Sequence, residues 1–259
     1  MTTTAHPQTS PQPGWRPIYR LGAAAALLRV FVALAEMGIS FLPGGDASTE
    51  TVIEWFLLFQ SHPLMGLRNM GLLNMGFNAL AVPTYLALYA AHGRHRQRGL
   101  AALAAATALL GVAIFFATNR AFAMLDLSRQ VAATSRETTR ASLVAAGHAA
   151  FAVGGSHTPG TFPAFFLAEM AGILASVAML SGFVFGRAAA WAGIAGFSLM
   201  GLFEILSAFA WGVDGRALTV AAVAGLLTMA WNVLLARTLL RLGRGEDKRA
   251  GHVTIGKKT

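Results

Sequence analysis

The sequence has no cysteine and few charged residues. The lack of cysteine excludes disulfide bonds, thiolate catalysis and Cys-ligated metal sites. Asp, Glu, Lys and Arg make up 12% of the 259 residues, whereas a soluble domain carries about a quarter. With 55% hydrophobic residues, the chain has too little polar surface to cover a water-soluble globule of this length. The composition therefore predicts that lipid faces much of the protein.

The sequence signatures of common catalytic sites are missing as well. There is no Gly-x-Ser-x-Gly elbow, phosphate loop, dinucleotide fingerprint or His-Glu-x-x-His pair. The formal net charge is +9, but no soluble domain is available to present a basic patch to nucleic acid, so no nucleic-acid partner is expected. No cofactor is expected either. These absences favour a non-enzymatic protein, although an enzyme built from scattered residues stays open.

Six apolar segments are long enough to cross a membrane, which takes about 20 residues of helix. The prediction is an all-α bundle of six spanning helices over residues 19–242. The spans are Leu21–Leu42, Leu64–Ala91, Leu100–Thr118, Phe162–Phe185, Ala189–Trp211 and Ala217–Leu240. Gly is abundant at 28 residues, which fits helices that pack closely in lipid.

The distribution of Lys and Arg predicts the orientation of these helices. With six spans, thirteen of the 20 Lys and Arg lie on the side of the two termini, and Arg29 and Arg68 lie within spans. The remaining five, on the opposite side, are Arg120, Arg129, Arg136, Arg140 and Arg216. Cytoplasmic loops carry the excess of positive charge, so both termini are predicted to be cytoplasmic.

Two segments outside the spans are predicted to be helical. In Asp46–Ser61, the spacing of Thr51 and Glu54 is typical of a capping box, which starts a helix. The same spacing recurs at Thr134 and Glu137 in the long outer loop, and it predicts a helix over Ser135–Phe151 within an ordered outer lid.

Both ends of the chain are polar and have little apolar surface to bury. Residues 1–18 and residues 243–259 are therefore predicted to be disordered. The C-terminal tail is basic, so we expect it to be drawn to anionic lipids of the inner leaflet.

Two loop patterns resemble a known family. They are Pro43-Gly-Gly-Asp46 after the first helix, and Leu125-Asp-Leu-Ser-Arg-Gln130 followed by Arg140-Ala-Ser-Leu-Val-Ala-Ala-Gly147 in the outer loop. Together with the six helices, residues 17–240 resemble the bacterial multi-pass membrane proteins catalogued as domain of unknown function 4386. Val131 stands where that family pattern has an aromatic residue. The resemblance implies a multi-pass bacterial membrane protein and brings no activity, ligand or catalytic residue.

The few ionisable residues inside the spans are the candidates for a functional site. A charged side chain at the centre of a span costs on the order of 2.5–3.5 kcal/mol, so it usually faces the bundle interior and has a partner. Counting residues from the helix ends places five candidates at a similar depth in the outer half: Glu36, Arg68, Asn74, Glu169 and Glu204. They predict a polar pocket for a small polar or cationic ligand, or a proton relay. The alternative is a set of structural pairs that lock the helices together.

Three functions stay open at this stage. The first is a carrier of small solutes or ions, or a binding and sensing component, with the carboxylates as its site. The second is a membrane enzyme for a lipid or envelope substrate, with Glu36, Glu169 or Glu204 as acid or base. The third is a structural or partner-binding subunit. His62, His148 and His157 show no metal-ligand spacing and are interpreted as surface or loop histidines, and no metal is expected.

Overall fold

The computed structural model describes residues 13–40, 51–93, 96–153, 155–181, 184–210 and 215–245. In this part of the chain every regular element is helical, as predicted. A 3-10 turn at Pro13–Trp15 precedes eleven α-helices. They are α1 Arg16–Ser40, α2 Val52–Ser61, α3 Pro63–Asn69, α4 Leu72–Ala79, α5 Ala81–His92, α6 Arg98–Thr118, α7 Ala121–Ala133, α8 Glu137–Val153, α9 Phe162–Met179, α10 Arg187–Phe209 and α11 Gly215–Arg244.

The long apolar helices pack as a closed ring. Around it the order is α1, α5, α6, α9, α10 and α11, and α11 packs back on α1. The hydroxyl of Tyr19 donates to the carbonyl of Ala90 at 3.2 Å, and Nε of Arg20 donates to the carbonyl of Gly243 at 3.2 Å. These bonds place the start of α1 beside the ends of α5 and α11. We call this end of the ring, which carries Arg16, Arg20, Arg98, Arg187 and Arg244, the basic end.

Five helices are long and apolar enough to cross a membrane, and the number is six if a bent helix pair counts as one span. The bent pair is Pro63–Asn69 with Leu72–His92, at an angle of 58°. The prediction of one continuous helix over Leu64–Ala91 was therefore wrong. The physical reason is Gly71, whose φ of 93° lies in the left-handed region that a helix cannot continue through.

Small residues set how closely the ring helices approach. A Cβ placed on Gly22 would lie 2.2 Å from the Cβ of Ala87, and one on Gly172 would lie 2.3 Å from the ring of Phe197. Each glycine therefore meets the neighbouring helix at a distance that a side chain would not allow. Close contact between small residues is the usual way in which helices associate in lipid, where dispersion contacts replace the hydrophobic effect.

The end opposite the basic end is covered by α2, α3, α7 and α8, which we call the cap. The cap has an apolar core of its own, built around Trp55, Phe56, Phe59 and Met124. The predicted capping box at the start of α2 is confirmed, because the side chain of Thr51 accepts from the backbone of Glu54 and the reverse bond is also present. The segment between α6 and α9 is thus a folded layer rather than a linker.

Two boundaries differ from the predictions. Helix α8 begins at Glu137, so Glu137 is its first residue and not the third residue of a capping box; the hydroxyl of Thr134 accepts from the backbone of Arg136 at 3.3 Å. At the N-terminus, residues 13–18 are helical although they were predicted to be disordered, because Tyr19 and Arg20 attach this turn to neighbouring helices. Residues 1–12, the Pro43–Asp46 pattern and residues 246–259 lie outside the described residues.

Candidate functional site

Glu169 and Glu204 lie close to each other on adjacent helices of the ring. Glu169 is 9% exposed on α9 and Glu204 is 1% exposed on α10. A Cβ placed on Gly201 would lie 3.7 Å from the Cβ of Glu169, and Glu204 is one turn further along the same face of α10. The two carboxylates consequently interact electrostatically. Two of the predicted site residues are therefore neighbours inside the bundle.

Glu204 has a direct partner in the loop between α8 and α9. Nδ1 of His157 lies 2.8 Å from Oε1 of Glu204, and the histidine side chain is 31% exposed. The imidazole ring stacks on Phe165 with ring centroids 5.2 Å apart and meets Phe203 edge-on at 4.9 Å. His157 thus connects a fully buried carboxylate to the water-accessible surface at the cap end.

The backbone of His157 has a conformation that side-chain-bearing residues rarely adopt. Its φ is 58°, the only positive value among the non-glycine residues of the described chain. The loop around it is held by hydroxyl groups: those of Thr158 and Thr161 both donate to the carbonyl of Gly155, at 2.6 and 2.7 Å. Such a conformation costs on the order of 1–3 kcal/mol and persists only where its surroundings enforce it. Here the surroundings that enforce it are the threonine bonds within the loop and the bond of the imidazole to Glu204.

Arg29 brings a positive charge to the same interior. It is 6% exposed on α1, and its guanidinium carbon lies 4.2 Å above the ring of Phe77. Electrostatic interactions link it to Glu169 and to Tyr85. The ion pair of His157 with Glu204 is the one salt bridge found within the described residues, so Arg29 and Glu169 attract each other without direct contact.

The other three predicted site residues lie further out. Glu36 is on an exposed part of α1 and interacts electrostatically with His157. Asn74 accepts a bond from Nδ2 of Asn78 at 3.0 Å and lines a cleft, with room for about one water molecule, that shares Phe165 with the His157 site. Arg68 lies on α3, where its Nε donates to Oδ1 of Asn69 at 2.9 Å, and α3 packs in the cap and not in the ring.

Several buried polar atoms around the two carboxylates have no hydrogen-bond partner within the described residues. On the acceptor side these are Oε2 of Glu169 and Oε2 of Glu204. On the donor side they are Nε and Nη1 of Arg29. Buried polar groups in folded proteins are almost always bonded, so these atoms need a partner that the described residues do not supply, such as water, an ion or a ligand.

Toward the basic end, aromatic side chains close the ring interior. Trp231 is fully buried, with its ring centroid 6.2 Å from Tyr85 and 5.0 Å from Phe197. The polar groups therefore lie between this aromatic layer and the cap, in one half of the bundle. As for metal binding, the described residues contain no group of three or more His, Asp or Glu placed to hold an ion.

The sequence analysis missed the role of His157, which was interpreted as a surface or loop histidine. Nothing in the local pattern indicates its partner, because Glu204 lies 47 residues further along the chain. The one usable signal was a histidine in a Gly- and Thr-rich turn directly before a span that carries a buried glutamate. Arg29 was predicted to lie within a span, but its electrostatic interaction with Glu169 was not predicted.

Comparison of the chain with protein-family models, with curated proteins and with solved structures found no match. The resemblance to domain of unknown function 4386 therefore stays a prediction. The long apolar helices support the class of multi-pass membrane proteins, and the site has to be interpreted from its own chemistry.

Proposed function

We propose that this chain is a six-span carrier or ligand-binding sensor of a bacterial plasma membrane, with both termini in the cytoplasm. Its site is the interior between α1, α9 and α10, which takes a small solute through a cationic group. In this arrangement the cap faces outward, and the bent pair α3–α5 counts as the second span, with its first helix, α3, packed in the cap. No chemical conversion of the ligand is part of the proposal.

The observation that supports it most is the group of buried charges with unmatched atoms. Glu169, Glu204 and Arg29 each lose the hydration that water would give them, at a cost of several kcal/mol per ion. If the role were purely structural, these groups would be matched with one another. An unmatched buried ion costs far more than the roughly 0.6 kcal/mol that an interhelical polar pair contributes on average. Ionisable residues inside a membrane bundle usually mark a ligand or ion site.

The charge balance favours a cationic group on the ligand. The two carboxylates of Glu169 and Glu204 share this interior with the single guanidinium of Arg29. A ligand ammonium group, or a proton, would compensate the second carboxylate. His157 and Glu36 lie between the surface at the cap end and the buried carboxylates. The ligand would therefore enter from the cap end.

Two further features fit a membrane carrier. A discontinuous helix, such as the one broken at Gly71, is common near the substrate sites of transporters because unwound backbone lines a cavity. The arginines of the basic end fit the cytoplasmic side, where they and the basic tail would meet anionic lipids.

Ligand binding can be tested by thermal unfolding of the detergent-solubilised full chain in the presence of methylammonium or ethylammonium chloride. A ligand that binds the folded state raises the midpoint in proportion to RT ln(1 + [L]/Kd). We expect a concentration-dependent rise for the wild type and its loss in Glu169→Gln and Glu204→Gln. Glu137→Gln, on exposed α8, is the matched control. Equal shifts in all four proteins, or no shift in any of them, would refute the proposed site.

The orientation can be tested separately because the chain has no cysteine of its own. Ser142→Cys places a thiol on exposed α8, and Gly99→Cys places one near the basic end, where a side chain meets no neighbour within 4 Å. In intact cells a membrane-impermeant maleimide should label the cysteine at position 142 and spare the one at position 99. The opposite result would invert the topology.

A further inference from the structure

The guanidinium of Arg29 has the features of an anion-binding group that lacks its anion. One face of it rests on Phe77, and the donors Nε and Nη1 have no partner within the described residues. An arginine offers its donors as a planar fork that matches a carboxylate or phosphate with two parallel bonds. Arg29 is 6% exposed, so bulk water reaches little of its side chain and cannot take the place of such a partner.

Acceptor groups in the same interior are unmatched as well. One oxygen of Glu169 and one oxygen of Glu204 are buried without a partner within the described residues. Glu169 is attracted to Arg29 but is not in contact with it. The interior therefore presents unused donors on α1 and unused acceptors on α9 and α10.

We propose that the ligand of this site is a small zwitterion, such as a short amino acid. Its ammonium group would lie between Glu169 and Glu204, and its carboxylate would receive the fork of Arg29. This inference rests on the proposed function and adds the class of ligand to it.

The charges explain why a zwitterion fits better than a simple ion. A plain cation would satisfy the carboxylates and leave the donors of Arg29 unmatched, whereas a plain anion would do the reverse. A ligand with both signs matches the donors of Arg29 and the oxygens of Glu169 and Glu204 together. Because it has no net charge, it adds none to the interior, where a net charge is costly.

The test compares three matched sets of probes on the solubilised full chain by thermal unfolding, followed by equilibrium binding for those that respond. The zwitterions are glycine, β-alanine and γ-aminobutyrate. Methylamine, ethylamine and propylamine lack the carboxylate, and acetate, propionate and butyrate lack the ammonium group. We expect at least one zwitterion to bind about tenfold or more tightly than its matched amine, because a charge-assisted bond to the carboxylate contributes roughly that factor.

Two variants locate the carboxylate of the ligand. Arg29→Gln should remove the preference for the zwitterion over its matched amine, whereas Arg140→Gln on exposed α8 should leave that preference unchanged. The double variant Arg29→Gln/Glu169→Gln tests the competing explanation of a simple structural pair.

The outcomes separate this inference from the proposed function. Binding of the amines with no preference for any zwitterion would overturn the inference and leave the proposed function intact. No response to any of the three sets would overturn both. If Arg29→Gln only lowers the unfolding midpoint, the double variant restores it and the probe preference is unchanged, Arg29 is a structural partner of Glu169 and the inference is wrong.

Discussion

The contact between His157 and Glu204 leads to a prediction that separates two energies, the hydrogen bond and the backbone strain. His157→Ala removes the imidazole but keeps a side chain at a φ of 58°. His157→Gly removes the imidazole and also the Cβ, so the left-handed conformation costs it almost nothing. Comparing the two variants with the wild type therefore isolates the strain.

The magnitudes follow from the contacts. A hydrogen bond to a charged group contributes about 1.5–3 kcal/mol, and we discount this to about 1–2 kcal/mol because the histidine is 31% exposed. The two contacts with Phe165 and Phe203 add about 0.5–1.5 kcal/mol each. We expect His157→Ala to lower the free energy of unfolding by about 2–5 kcal/mol. His157→Gly should lower it by about 1 kcal/mol less.

The assay is the loss of helical circular dichroism when the protein in mild detergent is titrated with a denaturing detergent. His148→Ala is the matched control, because His148 is an exposed histidine on α8, and a change there should stay within about 0.5 kcal/mol. A wild-type-like midpoint for His157→Ala would show that the bond to Glu204 contributes nothing. Equal midpoints for the alanine and glycine variants would show that the backbone is not strained.

Three further predictions concern the scaffold. Gly22→Ala should lower the unfolding midpoint by the equivalent of about 1–3 kcal/mol, because the added methyl group overlaps the neighbouring helix. In the control Gly76→Ala, the methyl group meets nothing within 4 Å, so the midpoint should stay unchanged or rise. Thr51→Ala should lower the free energy of unfolding by about 0.5–2 kcal/mol and speed amide hydrogen exchange in α2, because it removes the cap. Thr51→Ser keeps the hydroxyl and should do neither. Equal exchange in the two variants would contradict a capping role. Arg120→Lys should speed exchange at the end of α8, because a lysine cannot both lie flat on the ring of Phe151 and donate to its carbonyl; unchanged exchange there would show that this contact does not hold α8.

The class of protein could be inferred from the sequence because hydropathy is a local property. A run of about 20 apolar residues signals a span whatever surrounds it, and the long apolar helices of the structure agree with that class. The capping box at Thr51 was predictable for the same reason, since both of its residues lie within one turn. The break at Gly71 was not, because a glycine inside an apolar helix is tolerated as often as it marks a break.

The candidate site was predictable in depth but not in detail. Counting residues from the helix ends placed Glu169 and Glu204 at one level, and the structure makes them neighbours. Counting could not show whether two residues at one depth face each other, because that depends on which helices are adjacent. Arg68 illustrates the failure, since it has a suitable position along the chain but lies in the cap.

The sequence by itself predicted that hydrocarbon is the medium of this chain and that its few internal charges need partners, because both follow from the cost of taking polar groups out of water. Only the tertiary structure decided which residues those partners are. The closed order of the ring helices brings α9 and α10 together, and a strained loop places His157 on Glu204 from 47 residues away. Such pairings depend on contacts between distant segments, which local composition and periodicity do not encode.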